Sequence, residues 1–368
     1  MNTFGRKAQG ARLERMQASP LWDGEKFRNR HPVMPGLRDP RASMPSMRDF
    51  IWGGERRVPR HPLPSINPLE AWSRQPYSGL RATWLGHSTT LIEIEGWRVL
   101  TDPVWGQRAS PFPVLGPRRF QPAPVSLERL PPLDLVVISH DHYDHLDYPT
   151  VRRLARRGVP FVTSLGVGAH LESWGVAPEL ITELDWWETH AVPDTGLTVT
   201  AAPSQHFSGR SLGTRNSTLW SAFVLRTERH SAFFSGDTGL TTQYQAIRDR
   251  LGPFDLVMLE VGAFHPGWGD VHLGPANALR ALELLGGGAF LPVHWGTFSL
   301  AMHAWDEPVE TLLQLTKTTD TQLLLPRLGE PIEPVLAPRI DPWWRGVDTV
   351  QTRDRPQPRP RSVDLSAP

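Results

Sequence analysis

Leu133-Asp134-Leu135-Val136-Val137-Ile138-Ser139 runs directly into His140-Asp141-His142-Tyr143-Asp144-His145. A short apolar run that ends in polar residues suits a strand buried on both faces. Four potential metal ligands, His140, His142, Asp144 and His145, follow within six residues. If the chain stays extended, His140 and His142 point the same way. Asp144 and His145 come where the chain turns toward a helix, and they can aim at a second ion. Loops at strand ends are where rigid scaffolds hold reactive groups.

Further ligands stand at the expected ends of later strands. His206 follows VTAAPSQ, Asp237 sits in FFSGDTG, and His294 follows AFLPV. Each alone reads as a packing, surface or turn residue. Together with the first cluster they make five His and two Asp, enough for two ions, with Asp237 suited to bridge. Two metals about 3.5–4 Å apart clamp attacking and leaving oxygens and lower the pKa of a water between them.

The surrounding pattern is α/β. RATWLGHSTTLIEIEGWRVLTDP predicts a strand pair broken at Gly96. Strands are expected at Leu197–Ala202, Ala222–Arg226, Ala232–Ser235 and Phe254–Val261, and helices at Ala11–Met16, Arg152–Gly158 and Pro275–Leu285. The runs LDLVVIS and FDLVMLEV resemble each other and hint at a duplicated sandwich. Residues 1–75 read as an extension that wraps the core or is partly mobile. Residues 76–335 read as one catalytic domain. Residues 336–368 read as a tail whose Pro- and Arg-rich end is disordered.

Composition narrows the function. The 368 residues are 39% hydrophobic, enough for a substantial core, and the 37 prolines imply much loop. With 39 basic and 38 acidic residues the net charge is +1, which gives no electrostatic case for nucleic-acid binding. The sequence has no cysteine, so disulfides, thiolate zinc sites and thiol nucleophiles are excluded, and any metal is held by nitrogen and oxygen. It has neither a run of about 18 apolar residues nor a secretory h-region, so a cytoplasmic protein is expected, with peripheral contact to the inner membrane face left open. Most of the 15 tryptophans are expected in the core, with some free to line an acyl-chain groove.

The motifs TWLGHSTTLIE, LTDPVW, GPRRF, ISHDHYDHLDY, ELDWWE, PSQHFSGR, TLWSAF, FFSGDTG, GPFDL and HWGTF resemble those of the metallo-β-lactamase-fold hydrolases. Within that group they look most like the N-acyl-phosphatidylethanolamine-hydrolysing phospholipase D branch and its bacterial relatives. The resemblance spans about Pro76 to Pro334. It implies a four-layer αβ/βα sandwich with the metal site at one edge. It implies one ion on His140, His142 and His206, a second on Asp144, His145 and His294, and Asp237 bridging. It implies that His272 binds phosphate or protonates the leaving oxygen, so that Asp144, Asp237 and His272 carry the catalysis. His87 reads as a supporting hydrogen bonder and Asp102 as a brace or turn cap, while His265 and His303 read as structural.

The expected activity is phosphodiester hydrolysis of phospholipase D type on N-acyl-phosphatidylethanolamine-like lipids, by hydroxide held between two divalent ions. Zinc is the expected metal, with iron or manganese also suited. The partners expected are a small-molecule or phospholipid substrate, without nucleic acid, and a homodimer is compatible. The alternatives are a lactonase resembling L-ascorbate-6-phosphate lactonase, a nuclease of ribonuclease Z type, and a non-catalytic metal-binding scaffold.

Overall fold

The computed structural model describes residues 3–30, 48, 56–265, 268, 270–337 and 339–347. Strands β1 (Leu80–Gly86), β2 (Thr89–Ile94) and β3 (Trp97–Thr101) form an antiparallel meander where the sequence predicted a pair. Glu95 and Gly96 join β2 to β3, both at positive φ (46° and 93°), the hairpin conformation in which a glycine is favoured. Strands β4 (Leu135–Ile138), β5 (Phe161–Ser164) and β6 (Ile181–Leu184) continue the sheet in parallel. The second sheet begins with β7 (Thr189–Ala191), β8 (Thr198–Ala202), β9 (Ala222–Arg226) and β10 (Ser231–Phe234), which are antiparallel. It ends with β11 (Leu256–Glu260) and β12 (Ala289–Val293) in parallel. A short β13 (Pro331–Ile332) closes the first sheet against β1.

Alternation along β4 explains the layers. Leu135 and Val137 belong to the core that reaches the second sheet, whereas Val136 and Ile138 belong to a separate cluster. That second cluster takes Val151 and Leu154 from α3 (Tyr148–Ala155) and Leu171 from α4 (Gly168–Ser173). On the far side, α5 (Gln243–Leu251), α6 (Gly274–Leu284) and α7 (Glu307–Leu315) contribute Tyr244, Ile247, Ala278, Leu282, Val309 and Leu312. The result is the four-layer αβ/βα sandwich that the resemblance implied. Helix α3 begins four residues before the predicted Arg152, because Asp147 stands at its N-cap and Pro149 fits its first turn.

The two resembling runs occupy matching places. Each forms a parallel strand flanked by parallel neighbours, β4 between β3 and β5, and β11 between β10 and β12. In each, the aspartate before the strand grips the backbone of the preceding one. Asp134 Oδ2 accepts from Arg98 N at 2.8 Å, and Asp255 Oδ2 accepts from Ser231 N at 2.7 Å.

Residues 3–30 and 56–75 lie on this core. Helix α1 (Ala11–Gln17) buries Met16, and Arg12 pairs with Glu183 and Glu172. A short α2 (Leu69–Trp72) buries Trp72. The core extends beyond residue 335, where the sequence placed the start of a tail. Trp343 and Trp344 are buried there, because two large aromatics stack and edge against Trp295. The expected disordered end lies outside the described residues. None of the described helices is long and apolar enough to cross a membrane.

Phe161 in β5 is fully buried and remote from the loops described below. Phe161→Ala should destabilise the fold by about 3–5 kcal/mol, through lost transfer energy and the cavity left behind. The measurement is the urea midpoint of chelator-treated protein, and an unchanged midpoint contradicts the packing.

Candidate metal centre

The parallel strands β3, β4, β10, β11 and β12 end at one edge of the sandwich, and that edge carries the polar loops. Asp102, fully buried after β3, holds the first of them. Its Oδ1 accepts from Ser139 N at 2.7 Å, and its Oδ2 accepts from Ser139 Oγ at 2.6 Å and from His145 Nδ1 at 2.7 Å. Because Ser139 Oγ donates to Asp102, it accepts from His140 Nδ1 at 2.9 Å. His206 Nδ1 donates to Val271 O at 2.7 Å. In all three histidines Nδ1 carries a hydrogen, so Nε2 is the nitrogen that would face a metal.

The seven side chains singled out in the sequence meet in two adjoining groups. In the first, His140 Nε2 and His142 Nδ1 are 2.8 Å apart, and His206 Nε2 is 3.2 Å from His142 Nδ1. Asp237 Oδ2 faces this group, 3.7 Å from His206 and 3.9 Å from His140. In the second, Asp144 Oδ2 is 3.5 Å from His145 Nε2 and 3.3 Å from His294 Nε2. Asp237 Oδ1 faces these two rings at 3.1 and 3.2 Å. One carboxylate thus offers one oxygen to each group. Zn–N bonds of 2.0–2.1 Å put tetrahedral ligands about 3.3 Å apart, and the separations here scatter around that value.

Two further observations fit a cation. His145 Nε2 and Asp237 Oδ1 are buried and make no hydrogen bond to any described residue. The protonation balance also calls for positive charge. Burial opposes charge on His294, but Asp237, Asp144 and Glu260 outweigh it and lift its pKa to about 10. His145 is likewise held well above its ordinary value by Asp237, Asp144 and Asp102, against burial. In the first group burial wins, and His140 and His206 fall well below theirs. The residues present therefore fit two divalent cations, with nitrogen and oxygen donors only.

The loop after β12 is held in an unusual conformation. His294 lies at φ +66°, and its N–H donates to His87 O at 2.9 Å. Beneath it Trp295 stacks on Trp84 at 4.9 Å and on Trp343 at 5.9 Å. His87 sits on the β1–β2 turn at φ +54°, with Nε2 2.9 Å from Asp144 Oδ2 and its ring 3.9 Å from that of His294. Burial, with His294 next, lowers its pKa to about 3, so it is neutral. It therefore acts on Asp144 as a neutral hydrogen bonder.

His272 lies just before α6. Its Nδ1 is bound by Glu260, at 2.9 Å to Oε2 and 3.2 Å to Oε1, and lies 3.9 Å from Asp237 Oδ2. Burial works against its charge, but Glu260 raises its pKa above the usual value. Glu260 is the functional residue that sequence reasoning passed over, as the end of an apolar run. It is fully buried, and it also accepts from Thr238 N and Leu273 N. The available signal was a carboxylate ending a buried strand at the edge where the ligands stand. His303 accepts from Ala263 N at 3.0 Å and stacks on Phe264, and His265 lies near Trp268. Trp186, Trp220 and Trp295 are buried, and Trp187 is partly so.

Comparison with known proteins identifies the family and the fold. The sequence model of the family described as beta-lactamase superfamily domain matches residues 97–295. An uncharacterised protein of Mycobacterium tuberculosis is 48% identical over 78% of this chain and 77% of its own. N-acyl-phosphatidylethanolamine-hydrolyzing phospholipase D 1 of Caenorhabditis elegans is 36% identical over 69% of this chain and 75% of its own. The solved structure of an isothiocyanate hydrolase from Delia radicum gut bacteria matches the fold with a TM-score of 0.56 at 22% identity, over 69% of this chain and 98% of that one.

Proposed function

We propose, since the chain belongs to the metallo-β-lactamase superfamily and is a metal-dependent hydrolase, that it is a phosphodiesterase of phospholipase D type. The observation that carries this is His272 backed by Glu260, 3.9 Å from the carboxylate shared by the two ligand groups. Similarity to the nematode phospholipase D supports phospholipid as the substrate class. The exposed loop side chains Phe112, Val114 and Leu115 support a peripheral contact with lipid.

His140, His142 and His206 would hold one ion, Asp144, His145 and His294 the other, and Asp237 both. Such ions supply an activated water and neutralise phosphoryl oxygens. The chain's own residues do the rest. Asp102 fixes the His140 and His145 rings with their Nε2 atoms inward. Glu260 occupies His272 Nδ1 and favours the protonated ring, which leaves Nε2 to give its proton to the departing alkoxide.

Elemental analysis of gently purified protein should find two metal ions per chain, with zinc the best match to these donors. Chelation should abolish turnover, and adding metal back should restore it. Loading displaces the protons that His145 and His294 hold, so affinity should fall as the pH is lowered. The loaded enzyme should cleave phospholipid micelles and simple diesters in preference to lactones. Faster lactone opening replaces this reading with the lactonase, and fewer than one ion per chain removes the centre.

A further inference from the structure

Residues 3–30 lie outside the stretch matched by the family's sequence model, yet they reach both loops that carry His140, His142 and His206. Asn29 forms a closed pair of bonds with the backbone of His206. Its Nδ2 donates to His206 O at 2.8 Å, and its Oδ1 accepts from His206 N at 3.2 Å. The same Oδ1 accepts from Trp220 Nε1 at 3.2 Å. Two residues earlier, Phe27 is fully buried beside Trp220, Trp186 and Met16, and its N–H donates to Asn216 O at 2.9 Å. This end of the segment is therefore anchored on the His206 loop by packing and by hydrogen bonds.

The other end grips the loop of His140 and His142. Arg6 N donates to His170 Nδ1 at 2.9 Å, so the ring hydrogen sits on Nε2, which faces Asp141 Oδ2 at 3.4 Å. Asp141 lies between the two ligand histidines, and its Oδ1 accepts from Gly209 N at 2.7 Å. The approach depends on Gly5 at φ +79°, where a Cβ would come within 2.0 Å of His170 Nδ1. Arg210 completes the grip. It donates to Thr3 O at 2.9 Å, to Asp141 O at 2.6 Å and to Leu146 O at 2.9 Å.

We infer that residues 3–30 form a two-ended clasp that holds His140, His142 and His206 in register as one ligand set, with Asn29 the positioning residue for His206. The inference rests on the dinuclear centre proposed above. The second group is braced besides by His87 and by the tryptophans stacked under His294, so it depends less on the clasp.

The test is a metal titration of the full chain without substrate, with zinc against a chromophoric chelator and cobalt followed by its visible spectrum. Asn29→Ala should weaken one of the two ions by about 10–100-fold, the usual effect of losing a group that supports a ligand. The other ion should bind as in the wild type. Gly5→Ala should weaken the same ion, by displacing the opposite end of the clasp. Asn29→Asp, which keeps the acceptor for His206 N but loses the donor to His206 O, should fall between. A generally loosened fold would instead weaken both ions alike, and that result overturns the clasp, as does a titration unchanged in both variants. A wild-type chain that binds no metal overturns the dinuclear reading and the clasp together.

Discussion

Asp237→Ala is expected to lose activity by several orders of magnitude and to hold neither ion tightly, while the chain stays folded. Losing a supporting partner of a metal ligand costs about 10–100-fold. Asp237 should cost far more, because its Oδ1 faces His145 and His294 while its Oδ2 faces His140 and His206. No other carboxylate among the described residues lies between the two groups in this way. The fold should survive, because the side chain lies in a loop beyond β10, outside the sheet core. Asp249, exposed on α5, is the control, and Asp249→Ala should behave as the wild type. Activity, bound metal and the thermal midpoint together decide the matter. A loss below about 100-fold, or metal retained at both sites, contradicts the bridging assignment.

His272→Ala should lower kcat on an alkyl phosphodiester by about 10²–10⁴-fold, the span of general acid–base catalysis. Metal content should not change, because His272 is not among the seven ligands. A nitrophenyl diester needs little proton donation, so its turnover should fall far less. Equal losses on both substrates, seen mainly in KM, would mean that His272 only grips phosphate. Glu260→Gln tests the same proton from behind. It removes the charge that raises the His272 pKa, so the fall of activity at high pH should begin at lower pH. A pH profile that does not move would show that Glu260 is only packing.

The contacts along the chain account for what could be read in advance. The apolar run before His140 and its alternation come from neighbours in sequence, and the strand, its two buried faces and the loop follow from them. The ligands at 206, 237 and 294 were readable because each follows an apolar run at the same edge. What escaped depends on chain crossings that no local pattern encodes. Asn29 lies 177 positions from His206 and meets it only because Phe27 is buried against Trp220. His170 meets Asp141 only because α4 packs against β6, and Glu260 resembles the end of a core strand until His272 is folded over it. The packed end of the described chain was missed because Trp343 and Trp344 follow a Pro-rich stretch that reads as tail.

The two sheets contribute to the centre in different ways. His140, His142, Asp144 and His145 follow β4 of one sheet, while His206, Asp237 and His294 follow strands of the other. Each proposed ion is therefore a cross-link between the layers, and the two must part for the chain to unfold. Loading should act as a staple at the open edge of the sandwich and slow unfolding by mass action on the native state. Residues far apart in the chain must be brought together before any ion can be held, so the centre is completed only when both layers have docked. Metal capture should then require correctly docked layers, since a chain with misregistered layers cannot present the seven donors together.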